Sequence, residues 1–269
     1  MSEVMAPAKE IRAASSNKVK TPLPMWLQVT SAFVGLMVIW ELLSRSGLIN
    51  PKLFSSPTLV ASTWLKLVEQ GKYWQHVQVT LVELLLATVL FIVTGILLGI
   101  VLGLSPLSFE VTYGPIATLF AFPKVTLFPI LILALGMGTT SKVVFGAIFG
   151  FFPLVMGVMV AVRGIKQLHL ELFDSIGASF WFKTVRLYVP ATLPATISAM
   201  RIGFVYAGIG VLLAEMFAAT KGLGNRIVGA GGQSTLDQFW VYVLTTFLIL
   251  LAGAGILRML ETRLQRWSE

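Results

Sequence analysis

The stretch Glu171–Pro194, ELFDSIGASFWFKTVRLYVPATLP, decides how the whole chain is read. It holds Glu171, Asp174, Lys183 and Arg186 between runs of residues that are almost all apolar. The segment LHLELFDSI favours a short helix, with Glu171 and Asp174 at i,i+3 on one face. Gly177 suits the left-handed position that closes such a helix, and Ala178 follows it into the turn. Ser179 then suits the cap of a second helix beginning at Phe180, with Lys183 and Arg186 again spaced i,i+3. Pro190 and Pro194 are expected to end that helix and lead into the next apolar run. Phe180, Trp181, Phe182, Leu187 and Tyr188 make the segment more apolar than a solvated loop requires. A docking surface for a cytoplasmic partner and a helix lying among lipid headgroups both account for such exposed aromatics.

The setting follows from composition. The chain has 56% hydrophobic and 12% charged residues and a mean hydropathy of +0.85, whereas a soluble domain carries about 25% charged residues. An all-α membrane protein is implied, a polytopic bundle of about six transmembrane helices. The apolar runs are 21–40, 84–104, 111–141, 143–162, 202–214 extended back through ATISAM, and 239–257. The third is interrupted by Lys124 and by Pro115, Pro123 and Pro129, which predicts a broken or kinked span. Residues 1–20 are polar and basic and read as a disordered cytoplasmic tail. Residues 21–78 hold the first span and an external connection, where SSPTLVASTWLKLVEQG predicts a short surface helix. The external ATKGLGNRIVGAGGQSTLDQ is expected to form turns or a mobile loop because of its glycines.

Orientation comes from the basic residues. With the amino terminus inside, twelve of them lie on the inner side, among them Lys9, Arg12, Lys183 and Arg258, and seven on the outer, among them Arg45, Lys66 and Lys142. The excess places both termini in the cytoplasm and the opening segment with them. The same flanking charges explain the net charge of +8 without a nucleic-acid partner.

The chemistry-bearing residues are few. There is no cysteine, and the two histidines, His76 and His169, lie far apart, so no metal site is expected. No paired carboxylates or nucleophile with a nearby base suggest catalysis, and GMGTTSK at 136–142 lacks the spacing of a phosphate-cradling loop. Gly95, Gly99 and Gly103, and likewise Gly146 and Gly150, recur every fourth residue, which favours close helix packing and alternatively lines a path. Lys124, beside Pro123 in the broken span, is the candidate path residue, since an intramembrane cation faces a cavity or a partner unless it snorkels. It could attract an anionic solute or pair with an acid. Glu215 could be that acid or cap the outer end of the fifth span, and Arg201 is expected to anchor that span's inner end. Glu83 reads as a boundary residue.

The spacing Glu171-Leu172-Phe173, three residues, Gly177, nine residues, Leu187-Tyr188-Val189-Pro190 resembles the EAA-x3-G-x9-I-x-L-P motif of permease subunits in binding-protein-dependent ABC importers. Leu-Phe stands for the two alanines, and Leu187 and Val189 for Ile and Leu. The resemblance runs over roughly 80–265, and Glu215 followed after six residues by Gly222-Leu223-Gly224 is similar to the branch that includes nitrate, sulfonate, taurine and bicarbonate systems. It implies a MetI-like type I permease core over 79–265, in a bacterial inner membrane. The segment 164–194 would be its coupling helix, docking on a separate ATPase subunit through Glu171, Asp174, Gly177, Ala178, Ser179, Lys183, Arg186 and Pro190. ATP and magnesium would be bound by that subunit and not by this chain. A periplasmic or lipid-anchored solute-binding protein and a second permease copy, most simply another copy of this chain, complete the implied assembly. An ion-coupled secondary transporter is the alternative, although the sequence has no inverted repeat and would leave the cytoplasmic motif without a role.

Overall fold

The computed structural model describes residues 24–46 and 55–265. The tail expected over 1–20 lies outside the described residues. Every regular element among those residues is helical, which bears out the all-α reading. Five helices are long and apolar enough to cross a membrane, or six if a sharply bent pair counts as one span.

The first helix, α1, runs Met25–Arg45 and continues past Trp40, where the apolar run stops. Its last turn accommodates charge because Glu41 and Arg45 pair at i,i+4, 2.5 Å apart, and the Thr58 hydroxyl donates to Glu41 at 2.8 Å. The expected surface helix is α2, Pro57–Val68, started by Pro57 and by Ser56, whose hydroxyl accepts from the Leu59 amide at 3.3 Å. Its buried face of Val60, Thr63 and Leu67 explains its position.

The second span is longer than its apolar run. Helix α3 covers Gly71–Leu104, 34 residues, or about 51 Å at 1.5 Å per residue. Glu83 is therefore a buried mid-helix residue and not the boundary residue expected, because Lys142 neutralises it from the next helix inward. The broken third span is α4, Pro106–Ala121, a 3₁₀ turn over Lys124–Leu127, and α5, Phe128–Leu135, with a bend of 84°. Next come α6, Thr139–Arg163, and α7, Gln167–Ser175.

Helix α8, Phe180–Lys183, passes through a π turn at Thr184–Tyr188 into α9, Val189–Ala218. The prolines do not end the helix, contrary to the sequence expectation. The π turn lets the Val189 amide reach back to the Thr184 carbonyl, and Pro190 then occupies the first turn of α9, where its missing N–H and fixed φ are tolerated. The chain closes with α10, Leu223–Gly232, and α11, Leu236–Gln265.

Helix α6 is the spine of the bundle, packed between α3 and α9. Gly95, Gly99 and Gly103 of α3 receive Leu154, Val158 and Val162 of α6. On the other side Gly150 of α6 meets Gly203 of α9, where an added Cβ would come within 2.7 Å of the Gly203 carbonyl oxygen and of the Phe91 ring. The four-residue glycine spacing is thus a packing device throughout. Gly150→Val should destabilise the chain by about 1–3 kcal/mol through overpacking, read as a lower thermal midpoint in mild detergent. Gly114→Ala, with nothing within 4 Å of the new methyl, should leave that midpoint unchanged or slightly raised.

Candidate functional site

Three features concentrate the polar chemistry. The first is the segment 164–194. Helix α7 is closed by a paired turn in which the Gly177 amide donates to the Asp174 carbonyl at 3.0 Å and the Ala178 amide to the Phe173 carbonyl at 3.1 Å. Gly177 has φ 65°, a conformation that disfavours other residues. The Ser179 hydroxyl accepts from the Phe182 amide at 3.3 Å and caps α8. Across the turn Lys183 pairs with Asp174, and the Phe173 and Phe182 rings lie 6.0 Å apart. One compact helix-turn-helix results. Its outer surface is apolar: Leu168, Leu172 and Ile176 form an i,i+4,i+8 stripe on α7, and Phe180, Trp181 and Val185 continue beside it, with Trp181 74% exposed. Glu171, Arg186 and Pro190 are exposed around this ridge, whereas Leu187 is buried and roots the segment in the bundle.

The second feature is Lys124. Its backbone starts the 3₁₀ turn after Pro123, and its side chain is buried. The ammonium donates to the Phe120 carbonyl at 2.5 Å and sits 4.7, 5.4 and 5.6 Å from the ring centres of Phe120, Phe149 and Phe152. Desolvated cation–π contacts of this kind are worth about 2 kcal/mol or more. Among the described residues no carboxylate is paired with it, so the pairing with Glu215 considered from sequence does not form. Pro123 itself is exposed beside it.

The third feature was not foreseen. Glu215 caps α10 instead of the end of its own helix. Its Oε2 accepts from the Gly224 amide at 2.8 Å and its Oε1 from the Thr80 hydroxyl at 2.7 Å, while Thr80 in turn accepts from the Leu223 amide at 2.9 Å. The Gly222 amide donates to His76 Nδ1 at 3.1 Å. Three successive amides at the start of α10 are thereby satisfied by side chains of α3 and α9. This explains why a glycine-rich stretch expected as a loop is a helix, since the negative carboxylate meets the positive helix end. A Cβ at Gly222, whose φ is 112°, or at Gly224 would run into Glu215. Glu215 is completely buried with both oxygens engaged.

One turn along α3, Glu83 pairs with Lys142 and accepts from the Thr139 hydroxyl at 3.3 Å. These residues, with Gly138 and Lys221, line a cavity of about 370 Å³. A second cavity of about 630 Å³ lies between α4, α6, α9 and α11 and includes Tyr113, Pro153 and Pro194. Near its rim Arg201 donates to Glu261 of α11 at 3.3 Å, so it ties two helices together beyond merely anchoring one. The visible signal for the missed cluster is His76, Thr80 and Glu83 at i, i+4 and i+7 on one face.

Comparison with known proteins gives this arrangement a family. Residues 55–266 match the family described as the inner membrane component of binding-protein-dependent transport systems. The chain belongs to that family. It is therefore a permease subunit of an ABC importer, of the taurine and sulfonate branch. It is 29% identical over 265 residues to the taurine transport system permease protein TauC of Escherichia coli, covering 94% of each chain. Over 243 residues it is 31% identical to the formylaminopyrimidine transport permease protein ThiX of Halalkalibacterium halodurans, covering 90% of this chain and 96% of the other. A Bacillus subtilis permease named for aliphatic sulfonates, SsuC, is 22% identical over 233 residues, 86% of this chain and 84% of the other. The permease's own role is transport and not catalysis. For the α10 cap, Glu215→Ala should cost about 1.5–3 kcal/mol, the range for hydrogen bonds to a charged group. Amide exchange at Leu223 and Gly224 should accelerate while that of α6 stays unchanged, with a smaller effect for Glu215→Gln.

Proposed function

We propose that the permease couples a small anionic solute to ATP hydrolysed on a separate subunit, and that the ridge on α7 and α8 is the docking handle. The observation that carries this reading is an exposed apolar stripe on a rigid, capped helix-turn-helix that continues into α9 without a break. An apolar ridge of this size on a polar turn marks a protein interface, and Trp and Tyr-like anchors dominate such interfaces energetically. Glu171 and Arg186 supply charge around the ridge, and Asp174 with Lys183, Gly177, Ala178 and Ser179 hold its shape. Pro190 joins it to α9. ATP and magnesium belong to the docked ATPase in this reading, which places the handle and both termini in the cytoplasm, in line with the excess of basic residues on that side.

The bent α4–α5 pair favours a second permease copy. Helix α4 buries no residue within its own chain, and Leu133 of α5 is 87% exposed. A path closed between two copies would use this face, with a solute-binding protein delivering solute at the opposite end of the bundle from the handle. Lys124, in the bend beside Pro123, is the cation such a path offers. Among the described residues it has no carboxylate partner, which leaves its charge for an anion to meet. The aliphatic sulfonates in one relative's name are anions and the taurine in another's carries a sulfonate group, whereas a formylaminopyrimidine is a different chemistry, so Lys124 carries the argument.

Two measurements test this. Gly177→Asp and Trp181→Ala should each reduce the ATPase recovered with the gently solubilised chain, and undiminished recovery with both would remove the docking reading. In cells, uptake of labelled taurine or of a small alkanesulfonate should fall about tenfold for Lys124→Ala, corresponding to about 1.4 kcal/mol. It should vanish for Lys124→Glu and largely persist for Lys124→Arg. Uptake unaffected by Lys124→Glu would sink the anion assignment.

A further inference from the structure

Helix α9 has a handle at one end and a cap at the other. From Phe180 to Ala218 the chain is one helical run of 39 residues, about 58 Å long, and Glu215 lies in its last turn. That carboxylate engages α10 directly and engages α3 through Thr80. Along the rest of its length α9 is locked to α6 by the contacts at Gly146, Gly150 and Gly210, and α6 to α3 by those at Gly95, Gly99 and Gly103. On the α9 side Gly150 faces Gly203 and Gly210 faces Gly146 backbone to backbone, and on the α3 side the glycines receive the side chains of Leu154, Val158 and Val162, so both seams are closely packed. The three helices therefore move as one body when the docking segment is displaced.

Helix α10 is held differently, packed on α11 and α9 with Leu223 fully buried. It has ten residues, four of them glycine among LGNRIVGAGG, and a helix so short and glycine-rich is not stable alone. Its placement depends on its packing and on the cap made by His76, Thr80 and Glu215. Nothing in ion pairing or in the path requires these three residues: Glu215 is sealed from both cavities, and Thr80 and His76 face the same junction.

We propose that His76, Thr80 and Glu215 are positioning residues of the transport cycle, which fasten α10 to the α3–α6–α9 body so that a displacement of the docking segment is delivered to the external face. The proposal rests on reading 164–194 as the ATPase handle. Its content is distinct: α10 travels with the body in every nucleotide state, and the cap is a permanent bolt instead of a latch that opens.

The chain has no cysteine, so labels can be placed singly. With the full permease assembled with its ATPase in lipid nanodiscs, spin labels at Gln167→Cys in α7 and Val228→Cys on the exposed side of α10 report the distance between the two faces. The unaltered cap should give one narrow distribution with the same mean without nucleotide and with magnesium-ATP plus vanadate. Glu215→Ala should broaden the distribution and make its mean depend on nucleotide, Thr80→Val should do the same to a lesser degree, and Glu215→Gln should restore most of the narrowness. A variant that fails to assemble is replaced in the comparison by the other, since each removes a different bond of the cap. A nucleotide-dependent mean with the cap intact overturns the proposal, and so do Glu215→Ala and Thr80→Val distributions as narrow as the original. If no ATPase assembles with the unaltered chain, the docking reading fails and takes the proposal with it, and that outcome is visible before any distance is measured.

Discussion

Close contact between backbones at glycine is the constraint on which this structure depends. In lipid the hydrophobic effect does not draw one apolar helix toward another, so association relies on packing and on a few hydrogen bonds. Gly150 against Gly203, and Gly99 against Val158, bring α3, α6 and α9 together closely enough for dispersion contacts to accumulate. Phe91, fully buried where the Gly150 and Gly203 surfaces meet, fills the space that two missing side chains leave. A bulkier residue at either glycine would separate the helices along their length and with them every bond that spans the junction above.

The polar cluster near the outer end is possible only because that packing fixes where α3 and α9 stand. Thr80 and Glu215 are 135 residues apart, yet they meet at 2.7 Å and share the amides of Leu223 and Gly224 between them. Buried carboxylates in such a setting need both charge compensation and donors. Glu83 receives its compensation from Lys142, whereas Glu215 receives donors and the positive end of α10. Thr80 donates to Glu215, while Lys142 and Thr139 serve Glu83 three residues further along α3.

Much of this was legible in the sequence, because its signals are local. Gly177 and Ser179 announce the turn between α7 and α8 through backbone and capping preferences that act within four residues, and Pro123 with Lys124 announces the break in the third span. What could not be read locally was misread. Glu83 looked like a boundary because a charge normally ends an apolar run, and only Lys142, on another helix, makes it a core residue. The glycines after Lys221 looked like a loop because propensity counts against a helix, and the acceptors that satisfy its first amides, His76, Thr80 and Glu215, lie outside the stretch. Pro190 looked like a stop, although a single wide turn before it is enough to keep the helix running.

The resulting molecule separates two mechanical classes of element. Helices α3, α6 and α9 are joined by close contacts at glycine, and the exposed aromatic segment at Phe180 runs on into one of them. Helices α4 and α5 pack on α6 less extensively than α3 and α9 do, with the 84° bend, no buried residue in α4, Phe128 of α5 buried against Phe145, and a buried cation bonded to one carbonyl among aromatic faces. A closely packed three-helix body is thus set beside a broken span that carries the buried cation. The separation follows from where the glycines and the prolines fall: glycines every fourth residue where helices must touch, and prolines where a helix must give way.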